Sequence, residues 1–179
     1  MDYTPGDARR PPPFHLSLFS DLSVGMETGA LGSGIVNTNW PIGHRAILVP
    51  FVLREPVNAQ KVFYSCGATA AGVAVDVGVY TYAGVLVFSS GSRAVAAGFQ
   101  SIDTTDVMLP GGLRYHMALS LNTTSTTITR LQTIPGAILA SIGFTQADSS
   151  FPLPSTITNV TFTTASFAPL FGVGLRTLA

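Results

Sequence analysis

Two stretches of strict alternation constrain this chain more than any other feature. From Val73 to Tyr80, the residues Val73, Val75, Val77 and Val79 share one side, and Ala74, Asp76, Gly78 and Tyr80 share the other. Leu113 to Leu121 repeats the arrangement, with Leu113, Tyr115, Met117, Leu119 and Leu121 opposed to Arg114, His116, Ala118 and Ser120. Successive side chains of a strand point to opposite faces, so a two-residue period predicts strands with one face buried in a core.

Further strand candidates are Ala46 to Leu53, Val57 to Cys66, Val85 to Phe88, Phe99 to Asp103, a short piece near Val107, Ile157 to Thr163 and Phe167 to Leu175. Pro50 lacks the N–H that a ladder needs, which places it at an edge or a bulge. Turn-forming residues separate the candidates: Gly67 to Gly72, Ala83-Gly84, Ser89 to Ser92, Pro110-Gly111-Gly112 and Asn122 to Thr127. Between Pro135 and Ala147 the apolar residues Ile134, Ile138, Leu139 and Ile142 keep helical spacing, while Gly136 and Gly143 weaken it. A short helix and an apolar loop both fit there.

Strands recurring at roughly 8–12 residues, with turns between them, predict an all-β sandwich or barrel. About eight strands in a chain of this length suit an antiparallel β-sandwich of jelly-roll type. No helices alternate with the strands to cover a parallel sheet, which removes α/β folds. An immunoglobulin framework needs cysteines on both sides of a tryptophan, and here Trp40 precedes the lone Cys66.

The start of the chain reads differently. Met1 to Pro13 contains four prolines and the pair Arg9-Arg10. Pro11-Pro12-Pro13 favours an extended polyproline path without internal hydrogen bonds. Such a segment cannot make a core, and it reads as a tail or as an arm over a neighbour. A short apolar stretch, Phe14 to Phe19, leads into Ser20 to Asn39, rich in Gly, Ser and Thr and read as loop. Gly29 to Gly34 is glycine-rich without the G-x-G-x-x-G order or a preceding strand, so it is not a phosphate cradle. The division predicted is an N-terminal arm and loop over 1–38 and a sandwich over 39–179.

Composition sets the function classes. Charged residues make up only 10% of the 179 residues and hydrophobic ones 46%, where a charged share of about 25% is usual. Mean hydropathy is +0.42. Apolar surface beyond what one core hides ends up in interfaces, and the single lysine, Lys61, agrees with that, since lysine is depleted where proteins meet. Nine basic residues balance nine acidic ones, so no basic stripe exists for nucleic acid. No apolar run of about 20 residues spans a membrane, and the first residues lack a signal peptide's basic start and apolar centre. Cys66 alone rules out an internal disulfide and a cysteine-built zinc site, and reads as a small core residue.

Taken together, His44-Arg45-Ala46-Ile47-Leu48-Val49-Pro50-Phe51, Val73 to Tyr80, Leu86 to Ser92, Pro110 to Thr124, Phe151-Pro152-Leu153-Pro154 and Pro169-Leu170-Phe171-Gly172 form a pattern. It resembles a group of jelly-roll structural proteins of tailed bacteriophages, over roughly Asn39 to Arg176. Its motifs are turn and strand signatures, not catalytic ones. The resemblance implies a virion location, as a capsid decoration or cement protein, a head-fibre component or a neck or tail part. It implies assembly, commonly as a homotrimer, against itself and neighbours such as the major capsid protein. Contacts are expected at the two ends of the chain, at Arg9, Arg10, Pro12, Phe14, Phe167, Leu170 and Phe171, and at Trp40.

Chemistry is sparse. His15, His44 and His116 lie far apart, without an H-E-x-x-H or H-x-E pattern. Asp103 and Asp106 flank Thr104-Thr105 and read as a turn between two short strands, with Asp76 able to approach them; paired carboxylates would serve glycoside hydrolysis or calcium. No G-x-S-x-G elbow occurs, and Lys61 does not follow a serine at the spacing of the S-x-x-K signature. The sequons at Asn122 and Asn159 carry no weight without a leader. The expectation is therefore a non-enzymatic structural protein without cofactor or metal. The alternative is a carbohydrate-binding or adhesion module on a tail fibre, using Trp40, Tyr64, Tyr80, Tyr82 or Tyr115 as platforms for a host glycan. An enzyme built on Asp76, Asp103 and Asp106 comes third.

Overall fold

The computed structural model describes residues 16–19, 23–26, 35–131, 135–164 and 166–177. In chain order the elements begin with β1 (Leu16–Phe19), β2 (Ser23–Met26), β3 (Ile35–Asn39), β4 (Ala46–Val52), β5 (Val57–Cys66) and β6 (Ala74–Thr81). Next come β7 (Leu86–Ser89), β8 (Arg93–Ala94), β9 (Gly98–Leu109), β10 (Arg114–Leu121) and β11 (Thr127–Leu131). A short helix, α1 (Gly136–Ser141), precedes β12 (Thr145–Ala147), β13 (Thr161–Phe162), β14 (Ala168–Pro169) and β15 (Phe171–Thr177).

All pairings are antiparallel and form two sheets. In the first, β5 is central, with β15 and β9 on its flanks, and β11 joins it at Cys66. The hairpin of β1 and β2 extends this sheet beyond β15, and β3 and β14 pair with β11. In the second sheet the order is β13-β12-β4-β10-β6-β7, with β8 also on β6. The sheets face one another as an all-β sandwich.

The alternation read from sequence builds the core. Val75, Val77 and Val79 of β6, with Tyr115, Met117, Leu119 and Leu121 of β10, pack against Val62, Tyr64 and Cys66 of β5 and Phe171 and Val173 of β15. Each buried side chain of this size contributes about 1.5–3 kcal/mol of transfer free energy. Pro50 stands within β4, opposite His116 of β10. On its other flank β12 accompanies only Ala46 to Leu48, so beyond Leu48 that side of β4 has no ladder to lose. The helix alternative holds for Gly136–Ser141: Leu139 enters the core, and Gly143, at φ 91°, then turns the chain against the Pro50 ring.

Several expectations are corrected. Ile35–Asn39, read as loop, is a strand, with Ile35 opposite Leu131 and Asn39 opposite Thr127; Ser23–Met26 is another. The sandwich therefore begins before residue 39. Glycine and short polar residues around these strands hide their period, and pairing to a distant strand supplies the order. Phe99–Asp103 and the Val107 piece are a single strand of 12 residues, β9, which passes through Asp103 and Asp106 without turning. A register shift against β5 between Ala59 and Lys61 absorbs the Thr104–Asp106 residues. Of Ile157 to Thr163 only Thr161–Phe162 is strand. Instead of about eight strands the described residues form fifteen, several of them two residues long.

The largest difference concerns the second sheet's outer face. Asp76, Tyr80, Ala118 and Ser120 were expected to face solvent, and all are buried. The segment 148–157 crosses that face as a strap. Arg45 donates from its guanidinium to both carboxylate oxygens of Asp148, and Ser150 N–H donates to the His44 carbonyl. Leu153 N–H donates to Asp76 Oδ2 at 3.0 Å, and Tyr80 donates its hydroxyl to the Pro154 carbonyl at 2.8 Å. Leu86 N–H reaches the Ser155 carbonyl, and Ile157 N–H the Gly84 carbonyl. Beneath the strap Leu153 and Ile157 join Leu48, Tyr80 and Ala118 in a second apolar cluster.

Candidate interaction surface

Among the described residues, one end of the sandwich lies outside the cover of the strap. There β4 finishes at Val52, which pairs with Arg114 at the start of β10. Tyr115 pairs with Thr81 at the end of β6, so the turn from Tyr82 to Val85 lies alongside. Leu109 ends β9 opposite Val57, and the 110–113 turn follows. Thr177 also pairs with Val57, so β15 runs out at this end too.

Ten large hydrophobic side chains are exposed among the described residues, and five of them, Val52, Tyr82, Val85, Met108 and Leu113, belong to this end. Three of them, Tyr82, Met108 and Leu113, line a groove of about 500 Å³ whose walls also include Val87, Pro110 and Arg114. Its rim is stiff. Tyr82 stacks on His116 with ring centroids 5.4 Å apart, the Arg114 guanidinium lies over the Tyr82 ring at 5.8 Å, and Tyr115 donates its hydroxyl to the Pro110 carbonyl. Burial holds the His116 imidazole below its ordinary pKa, which favours the neutral ring under Tyr82. Apolar side chains held in place around a single cation make a surface that loses little entropy on docking.

This surface is not where the sequence put the contacts. Arg9, Arg10, Pro12 and Phe14 lie outside the described residues. Trp40, Phe167 and Phe171 are at most 4% exposed and belong to the chain's own core, which corrects their assignment as contact residues. Trp40 packs edge-on against Phe167, and Arg130 caps the Phe167 ring. Leu170 is half-buried. An aromatic next to Pro or Gly in a terminal segment reads as available surface, but pairing of β14 and β15 inside the first sheet turns these rings inward. Among the proposed sugar platforms, Trp40, Tyr64, Tyr80 and Tyr115 are buried, and only Tyr82 is open. The patch itself was missed because its members come from four separate turns and strand ends. The available signal was the apolar character of turn residues Tyr82, Val85 and Leu113.

The three aspartates do not meet. Asp76 lies under the strap on the second sheet, accepting from Leu153 N–H and from the Ser89 and Ser90 hydroxyls. Burial pushes its carboxyl pKa up, against those hydrogen bonds. Asp103 and Asp106 stand exposed on β9 of the other sheet, the first paired to Lys61 at 3.0 Å, the second accepting from the Asn58 and Gln60 amides. No group of three or more His, Cys, Asp or Glu residues is placed to hold a metal among the described residues. Cys66 is buried, which pushes its thiol pKa up and away from nucleophilic use. No helix among the described residues is long and apolar enough to cross a membrane. No protein-family model matches the chain, and no curated protein is significantly similar to it.

Proposed function

We propose that this chain is a non-enzymatic structural protein of a tailed-phage virion, assembling with itself and with neighbouring virion proteins through apolar contacts. The observation that carries the assembly half is the exposed end of the sandwich, where Tyr82, Met108 and Leu113 line one groove and Val52 and Val85 are exposed on neighbouring strand ends and turns. Monomers rarely leave a contiguous apolar patch of this kind open. The jelly-roll topology, the homotrimer and the virion setting rest on the sequence resemblance. The all-antiparallel sandwich and the pairing of strands distant in sequence, such as β4 with β10, are compatible with the jelly roll. Arg114, without an acid partner of its own among the described residues, fits a carboxylate on the docked neighbour.

The decisive experiment is proteomics and cryo-EM of purified particles from the phage or prophage that encodes the chain. The protein is expected at a stoichiometry set by particle symmetry, with the Tyr82 end against a neighbour. Its absence from particles that are otherwise complete overturns the virion reading. The glycan reading retains only Tyr82, whose ring is already stacked on His116, and a glycan array without signal removes it.

A further inference from the structure

We infer that the free edge of β9 is a pairing site for β9 of a second copy, joined antiparallel about a two-fold axis near Asp103–Thr104. The inference deepens the assembly reading and rests on that part of it, not on the phage setting.

β9 is the longest strand described, at 12 residues, and β5 is its one strand partner among the described residues. At about 3.3 Å per residue its edge is roughly 40 Å long. Along it, alternate N–H and C=O groups need a partner that only water or another extended backbone can supply. The seam behind it is incomplete. Ile102 and Val107 of β9 point into the core yet stay only partly buried, as does Val87 of β7 across the gap. A strand added to β9 would cover all three.

The side chains select a second copy as that strand. Phe99 pairs with Ser65, Asp103 with Lys61 and Met108 with Asn58, so the face turned away from the core carries Phe99, Ser101 and Asp103, then Asp106 and Met108. The register shift in mid-strand makes these two halves complementary under a two-fold rotation. Phe99 of one copy comes beside Met108 of the other, the two most exposed apolar residues of the strand, at 64% and 61%. Ser101 comes beside Asp106 of the second copy, a donor beside an acceptor. Acidic residues often keep a sheet edge from pairing. Here both are answered within their own chain, Asp103 by Lys61 Nζ at 3.0 Å and Asp106 by two side-chain amides at 3.2 and 3.1 Å. The residual like charge near the axis makes the contact tighter as salt rises.

The test is disulfide mapping on the full chain, with sedimentation at several ionic strengths. Phe99→Cys mixed with Met108→Cys is expected to give a covalent dimer under mild oxidation, and either variant alone is not; Cys66 is buried and does not compete. Phe99→Glu with Ser101→Glu, both at exposed positions outside the Tyr82 groove, is expected to halve the oligomer mass and leave the thermal melt unchanged. An unmodified chain that stays monomeric at 100 µM (roughly a hundredfold above a 1 µM Kd, about −8 kcal/mol) overturns the inference. So does an oligomer whose mass ignores the double substitution. A β9-linked dimer absent from virions would refute the phage reading and leave this one standing.

Discussion

Removing the Asp76 side chain should release the strap without emptying the main core. Asp76 is 1% exposed, with no cation partner in contact among the described residues. Its Oδ2 accepts from Leu153 N–H at 3.0 Å and its Oδ1 from Ser90 Oγ at 3.2 Å. Asp76→Ala strands the Leu153 N–H, at a cost of about 1–3 kcal/mol. Ser90 keeps the Gly91 carbonyl as an alternative acceptor at 3.0 Å, so the expected total is about 2 kcal/mol. In a domain of this size that is a fall in Tm of about 4–8 °C. Asp76→Asn should behave differently, because the amide oxygen can still accept from Leu153 while the NH2 faces Ser90 Oγ.

The pH dependence separates the two variants. Burial raises the folded pKa of Asp76 above the 3.8 of the unfolded chain, so between these values the folded state holds the proton more firmly. Stability from this group is therefore full below 3.8 and is lost as pH rises through the folded pKa. Asp76→Asn should abolish that fall and match or exceed the parent at pH 7. Urea unfolding followed by fluorescence of the single, buried Trp40 reads both effects. An Asp76→Ala variant within 0.5 kcal/mol of the parent would refute the strap's dependence on this carboxylate.

Other perturbations have clear signs. Phe171→Ala should cost about 3–5 kcal/mol in the isolated chain, since the ring is fully buried; a neutral result by chemical denaturation would mean the ring serves a partner instead. Gly143→Ala forces φ 91° on a residue with a Cβ 2.9 Å from Pro50 Cγ, and should lower stability by about 1–3 kcal/mol, measured by thermal melting. The Arg45 hydrogen bonds hold Asp148 below the usual 3.8, so their contribution is present above 3.8 and lost as pH falls through the lowered folded pKa. Asp148→Asn should remove that acid limb in melts below pH 4, and change neutral stability by no more than about 1 kcal/mol because Asp148 is 64% exposed.

The sequence by itself determined the strand character of β6 and β10, because one face of each was apolar at a two-residue period, and marked β4 and β5 as strand candidates between breaks. It also marked Val75, Val77, Val79, Leu119 and Leu121 as core residues, while Leu113, on the same apolar side of the alternation, is exposed because β10 begins only after it. The edge position of Pro50 followed from its missing N–H. Only the tertiary structure decided what covers the opposite face. Asp76 and Tyr80 look like a solvated side until a strap, 77 residues on from Asp76 at Leu153, supplies their partners, and Ser120 does so until the Arg45 carbonyl accepts from its hydroxyl. The same long-range pairing drew Trp40, Phe167 and Phe171 inward and, among the described residues, left the Tyr82 end open and β9 with a free edge. Local pattern records which side of a strand is apolar; which strand or loop lies against it is set by contacts that close long loops, and those leave no periodic mark.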